Sequence, residues 1–181
     1  MDYKIISIKL SYHLRHDAEF IDKHGWATVE SVINKIKEIY PEFSLDDLEV
    51  IVKTDEKSRY HLTSDKKYIR ANQGHSVPVE LGLEKTEPPI LVYHGTGEQN
   101  VDSILSTGIE KRKRNYVHLS KDIDTAINVG KRKGNPAVLQ VMAMQMYLDG
   151  YDFYISENGI YLIDYVPPGY IKQLDMSDMG Q

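Results

Sequence analysis

Arg70, Gln73 and His75 share one short polar stretch, Ile69-Arg70-Ala71-Asn72-Gln73-Gly74-His75-Ser76, near the middle of the chain. This combination of residue types suits an anion. Arginine presents a planar fork of donors to phosphate, and glycine lets backbone N–H groups come close. The same stretch also reads as a polar connector between two lobes, and the residues alone leave both readings open. Two basic runs stand out elsewhere, Lys111-Arg112-Lys113-Arg114 and Lys131-Arg132-Lys133. Each is either a solvated face or a patch for polyphosphate or nucleic acid, where clustered cations displace counterions.

The chain has 181 residues and a formal net charge of -5, so any nucleic-acid site must be local rather than a wholly basic surface. It has no cysteine, which excludes disulfides and thiolate metal sites and fits a reducing compartment; we expect a cytoplasmic protein. The seven histidines show no metal-ligand spacing, and no metal is expected. No apolar run reaches the length of a bilayer span, and no signal-peptide pattern opens the sequence.

The elements that must carry these residues follow from periodicity. Ile6, Leu10 and Leu14 predict a helix over 4–14, with Arg15 and His16 at its C-terminal end. Trp26, after a turn at Asp22 to Gly25, is expected to anchor a small core. A second helix is predicted over 29–39, capped by Thr28, and a third from Ser44, with Asp47 completing a capping box. Residues 59–62 and 67–70 read as two strands joined by a turn. Three helices followed by a hairpin is the order of a winged-helix lobe. Pro78, Gly82, Pro88 and Pro89 mark a boundary, giving lobes 1–86 and 87–181. The second lobe is strand-rich. Strands are predicted near 90–93, 116–119, 137–142, 153–155, 160–163 and 170–174. Short helices are predicted at 101–105 and 122–129, stopping at Gly108 and Gly130, and Asn158-Gly159 signals a hairpin. The fold class is α+β, with a mostly antiparallel split sheet in the second lobe.

Seven pieces in order resemble the RNA 2'-phosphotransferases, the KptA-like tRNA 2'-phosphotransferase family. They are Leu10 to His16, Asp22 with Gly25-Trp26, Ile69 to Ser76, His94-Gly95-Thr96, Arg114 to Ser120, Ser156 to Gly159, and Val166-Pro167. The resemblance implies a winged-helix RNA-binding lobe joined to an NAD-binding lobe of ADP-ribosyltransferase type. It implies that an internal RNA 2'-phosphate is passed to NAD. The phosphate first displaces nicotinamide from its ribose. The 2''-hydroxyl then attacks phosphorus, releasing 2'-OH RNA and ADP-ribose 1'',2''-cyclic phosphate. Arg15, His16, Arg70 and Arg114 match the family's essential quartet, and Gln73 and His75 are further phosphate candidates. His94, Gly95, Thr96, His118, Ser120, Gly130, Arg132, Ser156, Glu157, Asn158 and Gly159 are implied cofactor contacts, with NAD consumed as co-substrate. The expected partners are an RNA bearing an internal 2'-phosphate and NAD, with no membrane, for a monomeric enzyme. Ile8 and Tyr116 depart from the family pattern, where lysine and histidine are usual.

Two other functions use the same residues. One is an ADP-ribosyltransferase that caps terminal phosphates of RNA or DNA. The other is a winged-helix binding module with an inert second lobe. Nicotinamide release separates the last from both enzymes.

Overall fold

Asp2 starts the first helix, because its carboxylate accepts from the Lys4 and Ile5 N–H groups at 2.9 and 3.2 Å and satisfies two of the unpaired N-terminal donors. The resulting α1, Tyr3–His16, is longer than periodicity suggests, and Arg15 and His16 sit inside its last turn rather than beyond it. The computed structural model describes residues 1–177. The chain divides into two units on either side of the Gly82–Leu83 bond. The fold is mixed α/β with antiparallel sheets, and six α-helices occur among the described residues.

In the first unit, β1 (Trp26–Thr28) precedes α2 (Val29–Lys37) and α3 (Leu45–Thr54), and β2 (Tyr60–Leu62) and β3 (Tyr68–Ala71) follow. The capping box is present: Ser44 accepts from the Asp47 N–H, and the Asp47 carboxylate accepts from the Ser44 N–H at 2.9 Å. The sheet order is β1-β3-β2, antiparallel throughout. Ile6, Leu10 and Leu14 of α1 share one buried cluster with Val32, Ile36, Phe43, Leu48 and Ile69. Trp26 is not the core anchor. It lies half-buried on β1 outside that cluster, in which Phe43 is the fully buried aromatic residue.

The second unit opens with β4 (Lys85–Thr86), which pairs with β9 (Phe153–Ile155); these residues belong here rather than closing the first unit. Next come β5 (Val92–Gly97), a 3-10 turn at Glu98–Asn100, α4 (Val101–Thr107), β6 (Ile109–Glu110), β7 (Val117–Leu119) and α5 (Ile123–Lys131). β8 (Pro136–Val141), α6 (Ala143–Leu148), β9, β10 (Tyr161–Ile163), β11 (Tyr165–Val166) and β12 (Ile171–Gln173) complete it. Sheets run β4-β9-β10-β7 and β12-β8-β5, with a small β11-β6 pair. A bridge from Tyr93 to Ser120 connects the two larger sheets. α4 stops at Gly108, φ 89°, as expected for a glycine stop. α5 instead continues through Gly130, where glycine serves packing: a Cβ there would lie 2.7 Å from the Thr96 carbonyl oxygen.

Candidate functional site

The first-unit residues gather because the loop after β3 is tied down at both ends. At one end the Asn72 N–H donates to the Arg59 carbonyl at 2.8 Å, and the Asn72 side-chain amide donates to the Ser58 carbonyl at 2.7 Å. At the other, the Ser76 N–H donates to the Arg15 carbonyl at 3.0 Å, fixing the loop onto the last turn of α1. His16 Nδ1 and Ser76 Oγ share a hydrogen bond of 2.8 Å. Gly74 makes the turn at φ 93°, a conformation that suits glycine.

This path buries His75, which is only 2 % exposed. Gly25, φ 83°, leaves the space for it: a Cβ there would stand 3.2 Å from His75 Nε2. Burial pushes the His75 pKa down to about 4, helped by the positive charges of Arg15, Arg70 and His16. His75 is thus neutral near pH 7 among cations. Its Nε2 and the Gln73 Oε1 are buried without a hydrogen-bond partner; the ring nitrogen can donate or accept according to tautomer, and the amide oxygen only accepts.

Arg70 sits mid-sheet. Trp26 on β1 and His61 on β2 are both in register with it, so the three share one face. The Arg70 guanidinium carbon lies 4.5 Å from the Trp26 ring centroid, within cation–π range. The Trp26 and His61 rings meet edge-on at 5.7 Å. Asp22 holds the turn before Trp26, its carboxylate accepting from the His24 and Trp26 N–H groups at 2.8 and 2.9 Å. The sequence did not show that Trp26 meets Arg70, although Asp22 with Gly25-Trp26 is one of the pieces that carry the resemblance.

In the second unit three residues form a chain of hydrogen bonds. Arg114 Nη1 donates to His118 Nδ1 at 2.9 Å, which leaves the proton of a neutral His118 on Nε2. The His118 carbonyl accepts from His94 Nδ1 at 3.3 Å, which leaves His94 Nε2 as an acceptor. Burial pushes the His94 pKa down to about 4. The carbonyl bond opposes that shift, and Lys133 and Arg112 add to it. The two basic runs therefore both contribute positive potential at His94.

Several other expected contacts have structural work of their own. A Cβ on Gly95 would lie 1.7 Å from the Ala126 carbonyl oxygen, so Gly95 lets β5 and α5 touch. Thr96 and Ser120 are buried, the first within hydrogen-bond reach of Asn100 and the second in the bridge to Tyr93. Ser156 Oγ donates to Asn158 Oδ1 and accepts from the Ile160 N–H, closing the β9–β10 turn in which Gly159 adopts φ 80°. Glu157 is exposed on that turn. Exposed Arg132 caps the C-terminus of α5, where positive charge complements the helix dipole. Among the described residues no group of three or more His, Cys, Asp or Glu could hold a metal ion, and no helix is long and apolar enough to cross a membrane.

Comparison with known proteins points to one family. The family model described as RNA 2'-phosphotransferase, Tpt1 / KptA family matches residues 2–165. A protein of Trichormus variabilis named "Probable RNA 2'-phosphotransferase" is 44% identical over 174 residues, covering 94% of this chain and 96% of its own. One of the same name from Flavobacterium johnsoniae is 44% identical over 173 residues, covering 93% and 95%. Another, from Hahella chejuensis, is 41% identical over 186 residues, covering 99% and 100%. With the family model matching residues 2–165 and relatives of 41–44% identity covering nearly the whole chain, the chain belongs to the RNA 2'-phosphotransferase, Tpt1 / KptA family.

Proposed function

We propose that this protein is an NAD-dependent RNA 2'-phosphotransferase that removes an internal 2'-phosphate from RNA. The observation that carries the reading is the tethered loop 72–76, which sets a buried neutral His75 among Arg15, Arg70 and His16. A dianionic phosphate offsets that concentration of positive charge and offers oxygens to a guanidinium fork. The first unit, three helices with a small antiparallel sheet, acts as a winged-helix RNA-binding lobe. The second acts as an ADP-ribosyltransferase-like lobe that takes NAD.

In this scheme Arg15, Arg70 and His16 hold the 2'-phosphate as nucleophile, and the Gln73 side-chain NH2 and a His75 ring N–H donate to complete the cradle. His94 Nε2 accepts from a ribose hydroxyl of NAD, a role that requires a neutral ring and suits its lowered pKa. Arg114, oriented by His118, is the fourth member of the quartet. The phosphate attacks the ribose carbon and nicotinamide leaves. The ribose 2''-hydroxyl then attacks phosphorus, and guanidinium groups stabilise the charge gathering there. The products are 2'-OH RNA, ADP-ribose 1'',2''-cyclic phosphate and nicotinamide.

The test is incubation with an oligonucleotide carrying one internal 2'-phosphate, with and without NAD. We expect loss of the phosphate and release of nicotinamide only when NAD is present. A phosphate that survives NAD refutes the proposal, and a stable gain of ADP-ribose mass points to phosphate capping instead.

A further inference from the structure

We propose that Trp26 is a positioning residue of the phosphate site, holding the Arg70 guanidinium by its face so that its edge is presented to the RNA phosphate. The inference rests on the assignment of Arg70 to that phosphate. Arg70 Cζ lies 4.5 Å from the indole centroid. An indole covers one face of a guanidinium and leaves the in-plane N–H donors to aim outward, whereas a flexible arginine would spread them over many rotamers. The backbone that carries the indole is itself held. The Asp22 carboxylate accepts from the Trp26 backbone N–H at 2.9 Å, and the Trp26 carbonyl accepts from the Asp22 backbone N–H at 2.8 Å. Gly25 supplies the φ 83° turn, and the His61 ring on β2, across β3, meets the indole in an edge-to-face contact. Trp26 is only half-buried and outside the core, so packing alone does not require a tryptophan. A platform for a working arginine does, because indole has the strongest π face for a cation.

The chain has a single tryptophan, so tryptophan emission reports the surroundings of Trp26 alone, and the Arg70→Ala variant isolates the part due to Arg70. The experiment titrates the full-length protein, without NAD, with an oligonucleotide bearing an internal 2'-phosphate and with its 2'-OH counterpart. We expect a saturable emission change with the phosphorylated RNA only, abolished in Arg70→Ala. Affinity by anisotropy and kcat/KM for Trp26→Phe and Trp26→Ala supply the second arm. Trp26→Ala should weaken binding and kcat/KM about tenfold and Trp26→Phe about threefold. In an Arg70→Ala background Trp26→Ala should weaken binding no further, whereas a general structural defect would weaken it equally in both. Equal losses with and without Arg70, or emission indifferent to the 2'-phosphate, overturn the proposal. If the phosphorylated RNA is not turned over but still shifts the emission through Arg70, the proposed function fails and the pairing stands. If it is turned over while the emission stays flat and Trp26→Ala behaves as wild type, the pairing fails and the function stands.

Discussion

His75 makes stability depend on pH in a calculable way. Its folded-state pKa is about 4 against an ordinary value of 6.5, so between those values the unfolded chain binds the proton that the folded chain refuses. The stabilisation from a neutral His75 is complete above about pH 6.5 and is lost as pH falls toward 4. Integrating the linkage relation between these two pKa values, the protein loses about 2 kcal/mol by pH 5 and about 3 kcal/mol by pH 4 relative to pH 8. The perturbation is His75→Gln, which removes the titrating ring and keeps a polar side chain. Urea unfolding followed by circular dichroism at pH 8, 6 and 5 gives the wild-type stability minus that of the variant, and other titrating groups, His94 among them, cancel in that difference. We expect the difference to fall by about 2 kcal/mol between pH 8 and pH 5. A flat difference refutes the placement of His75 as a buried neutral ring among cations. A bound phosphate should also raise the His75 pKa, since it offsets the charges of Arg15, Arg70 and His16, and an NMR titration of the ring reads this directly.

Three further outcomes are expected. Gly95→Ala places a methyl against the Ala126 carbonyl, where neither backbone yields cheaply, and should cost at least about 2 kcal/mol in thermal or urea unfolding. Arg70→Ala or His16→Ala should slow the second chemical step more than the first, because negative charge builds at phosphorus only there. RNA carrying a 2'-phospho-ADP-ribose adduct then accumulates on a denaturing gel, and its absence in both variants while substrate persists would remove these residues from the second step. Turnover should continue in excess EDTA, since arginines supply the positive charge in this scheme. Loss with chelator and recovery with magnesium would count against it.

Local chemistry was readable from the sequence wherever neighbours in the chain decide the outcome. Ser44 and Asp47 announce the start of α3 because the capping box closes within one helical turn. Gly108 announces the end of α4 for the same reason, and Ser156 to Gly159 the β9–β10 hairpin. The spacing of Ile6, Leu10 and Leu14 predicted the buried face of α1. The ordered motifs from Leu10 to Val166 also carried the family resemblance. The tertiary structure decided what depends on partners far apart in sequence. β1 is three residues long and shows no alternation; its pairing with β3, not its composition, makes it a strand and sets Trp26 beside Arg70. Gly95 and Gly130 read as turn or ligand glycines until α5 is laid against β5, where no Cβ fits. His75 reads as a polar loop residue until Ser76 ties its loop to the end of α1, and its neutrality follows first from that burial and then from Arg15, Arg70 and His16, two of which lie about sixty residues away in the chain. Charge state is a property of surroundings in space, and a linear pattern holds it only where those surroundings are local.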